Sequence, residues 1–168
     1  MMFKPHWLVI HHTQGNWFDT PGDVRRVLDN RVPPLKGYHW VQFRDEDGWR
    51  MASMYRGDAS GGHVGHHNSE AVGYSFIGSF QDKAPDIERL RAAAVDCAVL
   101  LRLYDLTPAD MIAHRDVPDN DTDCPGTLFT ANIFEAFRQM VREAGAVALE
   151  GNVTGWRDAG SSSQPKET

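Results

Sequence analysis

The sequence predicts one α/β domain in which a central mixed β-sheet is flanked by helices. The length of 168 residues suffices for one hydrophobic core and is short for two ordinary domains. Short aliphatic runs alternate with longer segments of helical periodicity, which is typical of a sheet covered by helices. The chain contains no internal repeat or coiled-coil heptad, so repeat architectures and long coiled coils are excluded.

In the first part of the chain, apolar runs and turn residues define the predicted elements. Leu8–His11 is a short aliphatic strand. A helix follows over Pro21–Asn30, with Thr20 as its cap and proline in its first turn. Strands over Tyr38–Phe43 and Trp49–Tyr55 flank an acidic turn that ends in glycine, and together they predict a hairpin. The apolar stripe of the helix consists of Val24, Val27 and Leu28.

The second part of the chain contains the longest helical pattern. A strand is predicted over Val72–Phe80, and an amphipathic helix runs from near Pro85 to Tyr104. Pro108–Ile112 is expected to form one short helical turn. A last helix is capped by Thr130 and is expected to stop at Gly145. The folded domain is therefore predicted to span residues 1–150, and the polar residues 151–168 are predicted to form a disordered tail.

Charge and hydropathy limit the partners and location we expect. The net charge of −6 argues against nucleic-acid binding, which relies on clustered lysine and arginine. No apolar segment is long enough to cross a bilayer, so membrane insertion is not expected. The N-terminus lacks the pattern of a secretory signal, and synthesis in the cytoplasm is expected. We also expect a monomer.

Three separated residues form a candidate metal site. His11 and His114 each follow an aliphatic run, which places them at strand ends, and Cys124 lies in a polar loop ten residues beyond the second histidine. Each residue alone has a plainer interpretation, as the polar end of a strand, a hydrogen-bonded loop residue or a free thiol. Together, two imidazoles and one thiolate make a zinc set with an open fourth position, which is the arrangement of hydrolytic zinc. The other cysteine, Cys97, belongs to a helical pattern and is expected to be a small buried hydrophobe.

Several motifs, in order along the chain, resemble those of the zinc-dependent N-acetylmuramoyl-L-alanine amidases, which include phage amidase-type lysozymes and peptidoglycan recognition proteins. The resemblance covers roughly residues 7–144. It implies a mixed sheet flanked by helices, with zinc in a surface groove that accepts peptidoglycan. The motifs are His11-His12-Thr13, Gly37-Tyr38-His39-Trp40, the Gly62–Asn68 loop, Gly73–Phe80, His114-Arg115-Asp116-Val117 and Asp123-Cys124-Pro125-Gly126.

The resemblance also implies roles for individual residues. The metal ligands of the family match His11, His114 and Cys124. Tyr38 matches the tyrosine that assists the attacking water, through a phenol that can donate to the water or the oxyanion. Thr122 occupies the position where phage members carry a catalytic lysine and many recognition proteins carry threonine. Its hydroxyl can donate a hydrogen bond but brings no positive charge.

Residues of the histidine-rich loop are implied to bind substrate. His63 matches a groove histidine that contacts substrate, and His67 and Asn68 are looser candidates for the same role. Taken without the resemblance, the last two are ordinary solvated loop residues.

The sequence departs from the family in two places. The segment between His114 and Cys124 is about two residues longer than usual and contains an acidic turn over residues 118–121. Because a carboxylate is also a competent zinc ligand, this leaves open whether Asp121 or Asp123 replaces or supplements the cysteine. The second departure lies between Thr20 and Gly37, where the expected aromatic residues are replaced by a proline-containing segment.

The resemblance implies zinc-dependent hydrolysis of the amide between N-acetylmuramic acid and L-alanine in peptidoglycan. A phage or prophage endolysin that reaches the cell wall after release from the cytoplasm is the expected biological form. Two alternatives stay open. One is a recognition module that binds muropeptides without cutting them, and the other is a zinc peptidase that acts on another cell-wall amide.

Overall fold

The computed structural model describes residues 3–31, 36–55 and 59–155, with side chains as far as residue 147. Within these ranges the fold has five strands, three α-helices and two short 3-10 turns. The strands are β1 (Trp7–His12), β2 (Trp40–Asp45), β3 (Gly48–Ser53), β4 (Ala71–Phe76) and β5 (Met111–Ala113). The helices are α1 (Pro21–Asp29), α2 (Ile87–Leu103) and α3 (Ala131–Gly155), and the 3-10 turns are Pro108–Asp110 and His114–Asp116.

The five strands form one mixed sheet in the order β3-β2-β4-β1-β5. Strand β1 lies between β4 and β5 and is parallel to both, and β2 is parallel to β4. Only the edge pair β2 and β3 is antiparallel among the described strands, and it forms the predicted hairpin. The mixed sheet of the predicted α/β domain is confirmed.

Alternate residues of β1 point to opposite faces of the sheet, and both faces are covered. Leu8 and Ile10 belong to a large core in which α2 and α3 pack on one face. Val9 points to the other face and packs with Val64 and Val117. Helix α1 covers a further part of that second face. Its contacts form a small core of Val24, Leu28, Val41, Met54 and Ile77.

Helix α1 begins as its sequence predicts. The hydroxyl oxygen of Thr20 accepts the Asp23 amide at 3.2 Å, and the Asp23 carboxylate accepts the Thr20 amide at 2.8 Å. This reciprocal capping box satisfies backbone donors that have no partner inside the helix. Pro21 occupies the first helical position, where its missing N–H costs nothing.

The strand predicted over Val72–Phe80 is shorter than expected and ends at Phe76. Gly78 has a φ of +120°, which turns the chain out of the sheet, and its amide donates to the Thr13 hydroxyl at 3.0 Å. The Phe80 amide donates to Nδ1 of His12 at 2.9 Å. Burial lowers the pKa of His12 to about 4, so this nitrogen keeps its acceptor lone pair at neutral pH. The residues after Phe76 are thus held by the end of β1.

Two further boundaries differ from the prediction. The helical turn expected over Pro108–Ile112 ends at Asp110, and the next three residues form β5, which pairs with β1. Gly145 does not stop the last helix, which continues to Gly155. A glycine inside a helix costs about 1 kcal/mol relative to alanine and need not end it. The helix therefore extends into the segment predicted as a tail, and residues 156–168 lie outside the described part.

The hairpin strands are also shifted from their predicted bounds. Strand β2 begins at Trp40, so Tyr38 precedes the strand rather than starting it. Gly37, with a φ of +68°, makes the turn that leads into this segment. No helix of the described part combines the length and apolar character needed to cross a membrane.

A half-buried carboxyl on α2 gives the fold a testable pH dependence. The Tyr74 hydroxyl donates to Asp96 at 2.8 Å, and burial raises the pKa of Asp96 from 3.8 to about 6. Because this pKa is higher in the folded chain than in the unfolded one, ionised Asp96 opposes folding. Its contribution therefore makes the free energy of unfolding rise as pH falls from about 7 towards 4.

Asp96→Asn should raise the free energy of unfolding by about 1–2 kcal/mol at pH 8, after allowance for partial solvent screening, and by much less at pH 4. The amide oxygen can still accept from Tyr74 without carrying a charge. Urea unfolding at the two pH values measures the difference. Glu88→Gln on the exposed side of the same helix is the control, and an equal gain there would contradict the assignment to Asp96.

Candidate metal centre

The predicted metal ligands meet at the carboxyl ends of two neighbouring parallel strands. His11 lies near the end of β1, and His114 follows β5 directly. In β1, His11 shares a face with Val9, so its ring points away from the core under α2 and α3. Ligand sites of open α/β sheets commonly form at this edge. The strand pairing thus brings together two histidines that are far apart in sequence.

Cys124 completes the group. Its sulfur lies 3.6 Å from Nδ1 of His11, and the ring centroids of His11 and His114 are 4.5 Å apart. One ligand atom from each of the three residues lies within 4.8 Å of the other two. Ligand atoms of a tetrahedral zinc site lie roughly 3.5 Å apart, so the spacing fits with small adjustments.

The two aspartates that the sequence left open as alternative zinc ligands are not part of this group. Asp121 and Asp123 are both exposed, and the metal-compatible cluster among the described residues contains the cysteine and neither aspartate. Cys124, and neither aspartate, is thus grouped with the two histidines.

The electrostatics of the three side chains suit a divalent cation. Burial, reinforced by neighbouring histidines, lowers the pKa of His11 well below 6.5, and burial also lowers the pKa of His114. Both imidazoles are therefore neutral at pH 7, which is the form that binds metals. Burial raises the pKa of Cys124 to about 12, so its thiol gives up a proton only when a cation replaces it. Two neutral imidazoles and a half-buried thiol form a donor set that fits zinc.

Arg115 holds the loop that carries the cysteine. Its amide donates to the Cys124 carbonyl at 2.8 Å, and its guanidinium donates to the carbonyls of Gly126, at 3.1 Å, and Phe129. Gly126 has a φ of +115°, and a Cβ there would lie 2.5 Å from the carbonyl carbon of Phe80. Arg115 belongs to one of the sequence motifs, but the motif did not indicate this role. The loop thus has little freedom to move the thiol.

Tyr38 lies beside the ligand cluster. Its ring centroid is 5.1 Å from that of His11, and its hydroxyl is 3.4 Å from the His12 carbonyl oxygen. Burial raises the pKa of Tyr38 to about 12, and the nearby Cys124 adds to the effect. The phenol is therefore protonated at neutral pH and is suited to donate a hydrogen bond.

Thr122 also faces the cluster. Its hydroxyl oxygen accepts the Cys124 amide at 3.1 Å, which leaves the hydroxyl hydrogen available to another acceptor. The interaction shapes the turn before the cysteine and keeps the hydroxyl at the wall of the groove.

A cavity of about 480 Å³ opens over these residues. The structure brings most of the predicted site residues to its wall. They are His11, Tyr38, His63, Asn68, His114, Thr122 and Cys124.

Asn68 and His67 have other contacts. The side-chain oxygen of Asn68 accepts the amides of His63, at 2.9 Å, and Val64, at 2.8 Å, and so shapes the loop. His67 is not among the residues that line the cavity. Its ring packs edge-on against Trp7 and lies 3.0 Å from the Glu70 carboxylate.

His63 directly contacts His11, one of the two predicted ligand histidines. Its Nδ1 lies 3.0 Å from Nε2 of His11, and its Nε2 lies 3.2 Å from the Ala71 carbonyl oxygen. The ring packs closely over β4, since a Cβ at Gly73 would lie 2.8 Å from His63 Nδ1. Glycine is therefore needed at that position for this placement of the ring.

Asn120, in the lengthened acidic turn, contacts His114 and was not predicted as a site residue. Its Oδ1 is 3.1 Å from Nε2 of His114 and accepts the Gly65 amide at 3.0 Å. Its Nδ2 donates to the carbonyls of Gly65, at 3.1 Å, and Pro118, at 2.9 Å. The only signal in the sequence was the unusual length of the segment between the second histidine and the cysteine.

Comparison with known proteins shows one family. Residues 2–127 match the family model described as N-acetylmuramoyl-L-alanine amidase. The chain is also 28% identical over 140 residues to peptidoglycan-recognition protein SC2 of Drosophila melanogaster, which covers 72% of this chain and 68% of that protein.

Solved structures of amidases and recognition proteins share the fold. The chain matches N-acetylmuramoyl-L-alanine amidase LysC from Clostridium intestinale URNW with a TM-score of 0.67 and 26% identity, over 80% of this chain and 85% of that one. It matches the endolysin amidase LysCS from the same organism with a TM-score of 0.65 and 26% identity, over 80% and 83% of the two chains. The Drosophila recognition protein PGRP-LB, at 23% identity and a TM-score of 0.60 over 77% and 79%, shares the fold.

Proposed function

Because the chain belongs to the N-acetylmuramoyl-L-alanine amidase family, we propose that it is a zinc-dependent hydrolase of peptidoglycan. The bond cut is the amide between the lactyl group of N-acetylmuramic acid and L-alanine. The observation that carries this proposal is the convergence of His11, His114 and Cys124 beside Tyr38 in an open groove.

The residues of the groove have separate tasks in this reaction. Zinc, when bound by the three ligands, supplies a Lewis acid that polarises the amide carbonyl and lowers the pKa of a water molecule. Tyr38 donates its phenolic hydrogen to the oxyanion that develops as the carbonyl is attacked. Thr122, two residues before Cys124 in the same loop, offers a second, weaker donor.

We further propose that the protein acts as an endolysin, made in the cytoplasm and active on the cell wall after release. Support comes from LysCS, which is named as an endolysin amidase and is 26% identical over 80% of this chain. The groove volume of about 480 Å³ lies within the range of sites that enclose small ligands or a short stretch of a polymer.

A recognition module is the second candidate, since a relative 28% identical is named as a peptidoglycan-recognition protein. Such a module would bind muropeptides in the same groove without cutting them. Retention of Cys124 and Tyr38 favours hydrolysis, because binding alone requires neither a metal position left open nor a positioned phenol.

Product analysis on purified peptidoglycan tests the function. The zinc-loaded protein should release new L-alanine amino termini and free lactyl carboxyl groups. A chelator should stop the release, and added zinc should restore it. New termini at another residue would indicate a zinc peptidase on a different wall amide. Intact walls together with measurable muropeptide binding would support the recognition module instead.

A further inference from the structure

We propose that His63 and Asn120 are positioning residues that set the tautomers of the two ligand histidines. Each accepts a hydrogen bond from Nε2 of one ligand and leaves the Nδ1 lone pair of that ligand for the metal. The inference rests on the metal centre of the proposed function and does not depend on which bond the protein cuts.

The tautomer of His63 follows from its contact with the Ala71 carbonyl oxygen. The Ala71 carbonyl can only accept, so the 3.2 Å contact requires a hydrogen on Nε2 of His63. In a neutral imidazole the other nitrogen, Nδ1, is then an acceptor.

The tautomer of His11 follows in turn from that of His63. His63 Nδ1 accepts at 3.0 Å, so the hydrogen of that contact belongs to Nε2 of His11. Nδ1 of His11 therefore carries the lone pair, and this is the atom 3.6 Å from the Cys124 sulfur. One chain of two hydrogen bonds, which ends at a strand carbonyl, thus aims the ligand atom into the metal position.

For His114, the orientation of the Asn120 amide determines which ring nitrogen carries the hydrogen. Its Nδ2 donates to two carbonyls and its Oδ1 accepts a backbone amide, so the oxygen is the atom that faces His114. Nε2 of His114 must then carry the hydrogen of the 3.1 Å contact, and Nδ1 keeps the lone pair.

The two positioning groups belong to one connected unit. Asn120 bonds both the amide and the carbonyl of Gly65, two residues from His63 in the histidine-rich loop. Asn68 fixes the same loop through the amides of His63 and Val64. Through Asn120, the lengthened turn before Cys124 therefore holds the histidine-rich loop, whose His63 orients His11.

This assignment gives His63 a role other than substrate contact. Both of its ring nitrogens are already engaged, one by His11 and one by Ala71. The ring can touch a bound muropeptide only through its carbon atoms. Its main effect is therefore expected on the affinity of the protein for zinc.

Zinc affinity, measured by competition with a chromophoric chelator, tests the proposal. His63→Leu and Asn120→Leu should each weaken zinc binding by about tenfold to a hundredfold, the usual effect of losing an outer hydrogen-bond partner. His63→Asn should recover most of the loss, because its Oδ1 takes the place of the imidazole Nδ1 as an acceptor. His66→Asn is the matched control, since His66 is exposed in the same loop and asparagine tolerates its φ of 64°. Unchanged affinity in both folded leucine variants would overturn the proposal.

A second measurement needs no variant. Nitrogen-15 NMR of the metal-free protein should show His11 and His114 protonated at Nε2, and Nδ1 protonation of either would also overturn the proposal. Circular dichroism establishes that the leucine variants are folded. The protein could show these tautomers and this zinc affinity and still leave peptidoglycan intact. That result would contradict the proposed hydrolysis but not the positioning role.

Discussion

Cys124→Ala is expected to abolish peptidoglycan hydrolysis and to weaken zinc binding by more than about a hundredfold, beyond the usual loss of an outer partner. The substitution removes the sulfur that lies 3.6 Å from Nδ1 of His11 and leaves only two of the three proposed ligands. The fold should persist, because the contacts that hold the loop involve the backbone. The Cys124 carbonyl still accepts the Arg115 amide in the variant. Zinc content, release of L-alanine amino termini and the midpoint of thermal unfolding are the measurements.

The second cysteine provides the matched control. Cys97 is fully buried in the core formed by α2 and α3, and it is not part of the metal cluster. Cys97→Ala should therefore lower the free energy of unfolding by about 1 kcal/mol through lost packing, with zinc content and activity retained. Full activity of Cys124→Ala would refute the ligand set.

Local patterns were sufficient to predict most of the elements. The cap at Thr20 depends on residues within three positions, and the aliphatic residues before His11 indicate a buried strand wherever it pairs. The long helix over Ile87–Leu103 follows from its own periodicity. These features could be predicted because the interactions that produce them lie within one element.

The boundaries that were wrong depend on other parts of the chain. Three residues, Met111–Ala113, form β5 only because β1 offers them a parallel partner. The chain leaves the sheet after Phe76 because Thr13 and His12, at the end of β1, accept the amides of Gly78 and Phe80. No window of sequence contains both partners, so propensity alone could not place these ends.

The candidate site also has a part that the sequence could predict and a part that it could not. The three ligand types could be selected from composition and order along the chain, since few residues bind zinc. The hydrogen bonds that His11 donates to His63 and that His114 donates to Asn120 could not be predicted, because they depend on two loops that meet only in the folded chain. Asn120 lies in the very segment whose extra length had suggested an alternative carboxylate ligand.

Tyr38→Phe should lower the rate of hydrolysis by about a hundredfold to a thousandfold, the usual cost of removing one oxyanion donor. Zinc affinity should not change, because the phenol is not among the ligands. Stability should change little, since the contact between the hydroxyl and the His12 carbonyl is long, at 3.4 Å. Initial rates on peptidoglycan, measured with zinc content matched between the proteins, give the effect.

The direction of the pKa shift adds a second test of Tyr38. The pKa near 12 means that the phenol keeps its hydrogen well above pH 10, where an ordinary tyrosine ionises. Loss of the donor should therefore not limit the rate between pH 7 and 10. Tyr55→Phe is the control, because Tyr55 does not line the cavity and its loss should leave the rate unchanged. A Tyr38→Phe variant as fast as the unmodified protein would show that the oxyanion relies on other donors, with Thr122 the next to test.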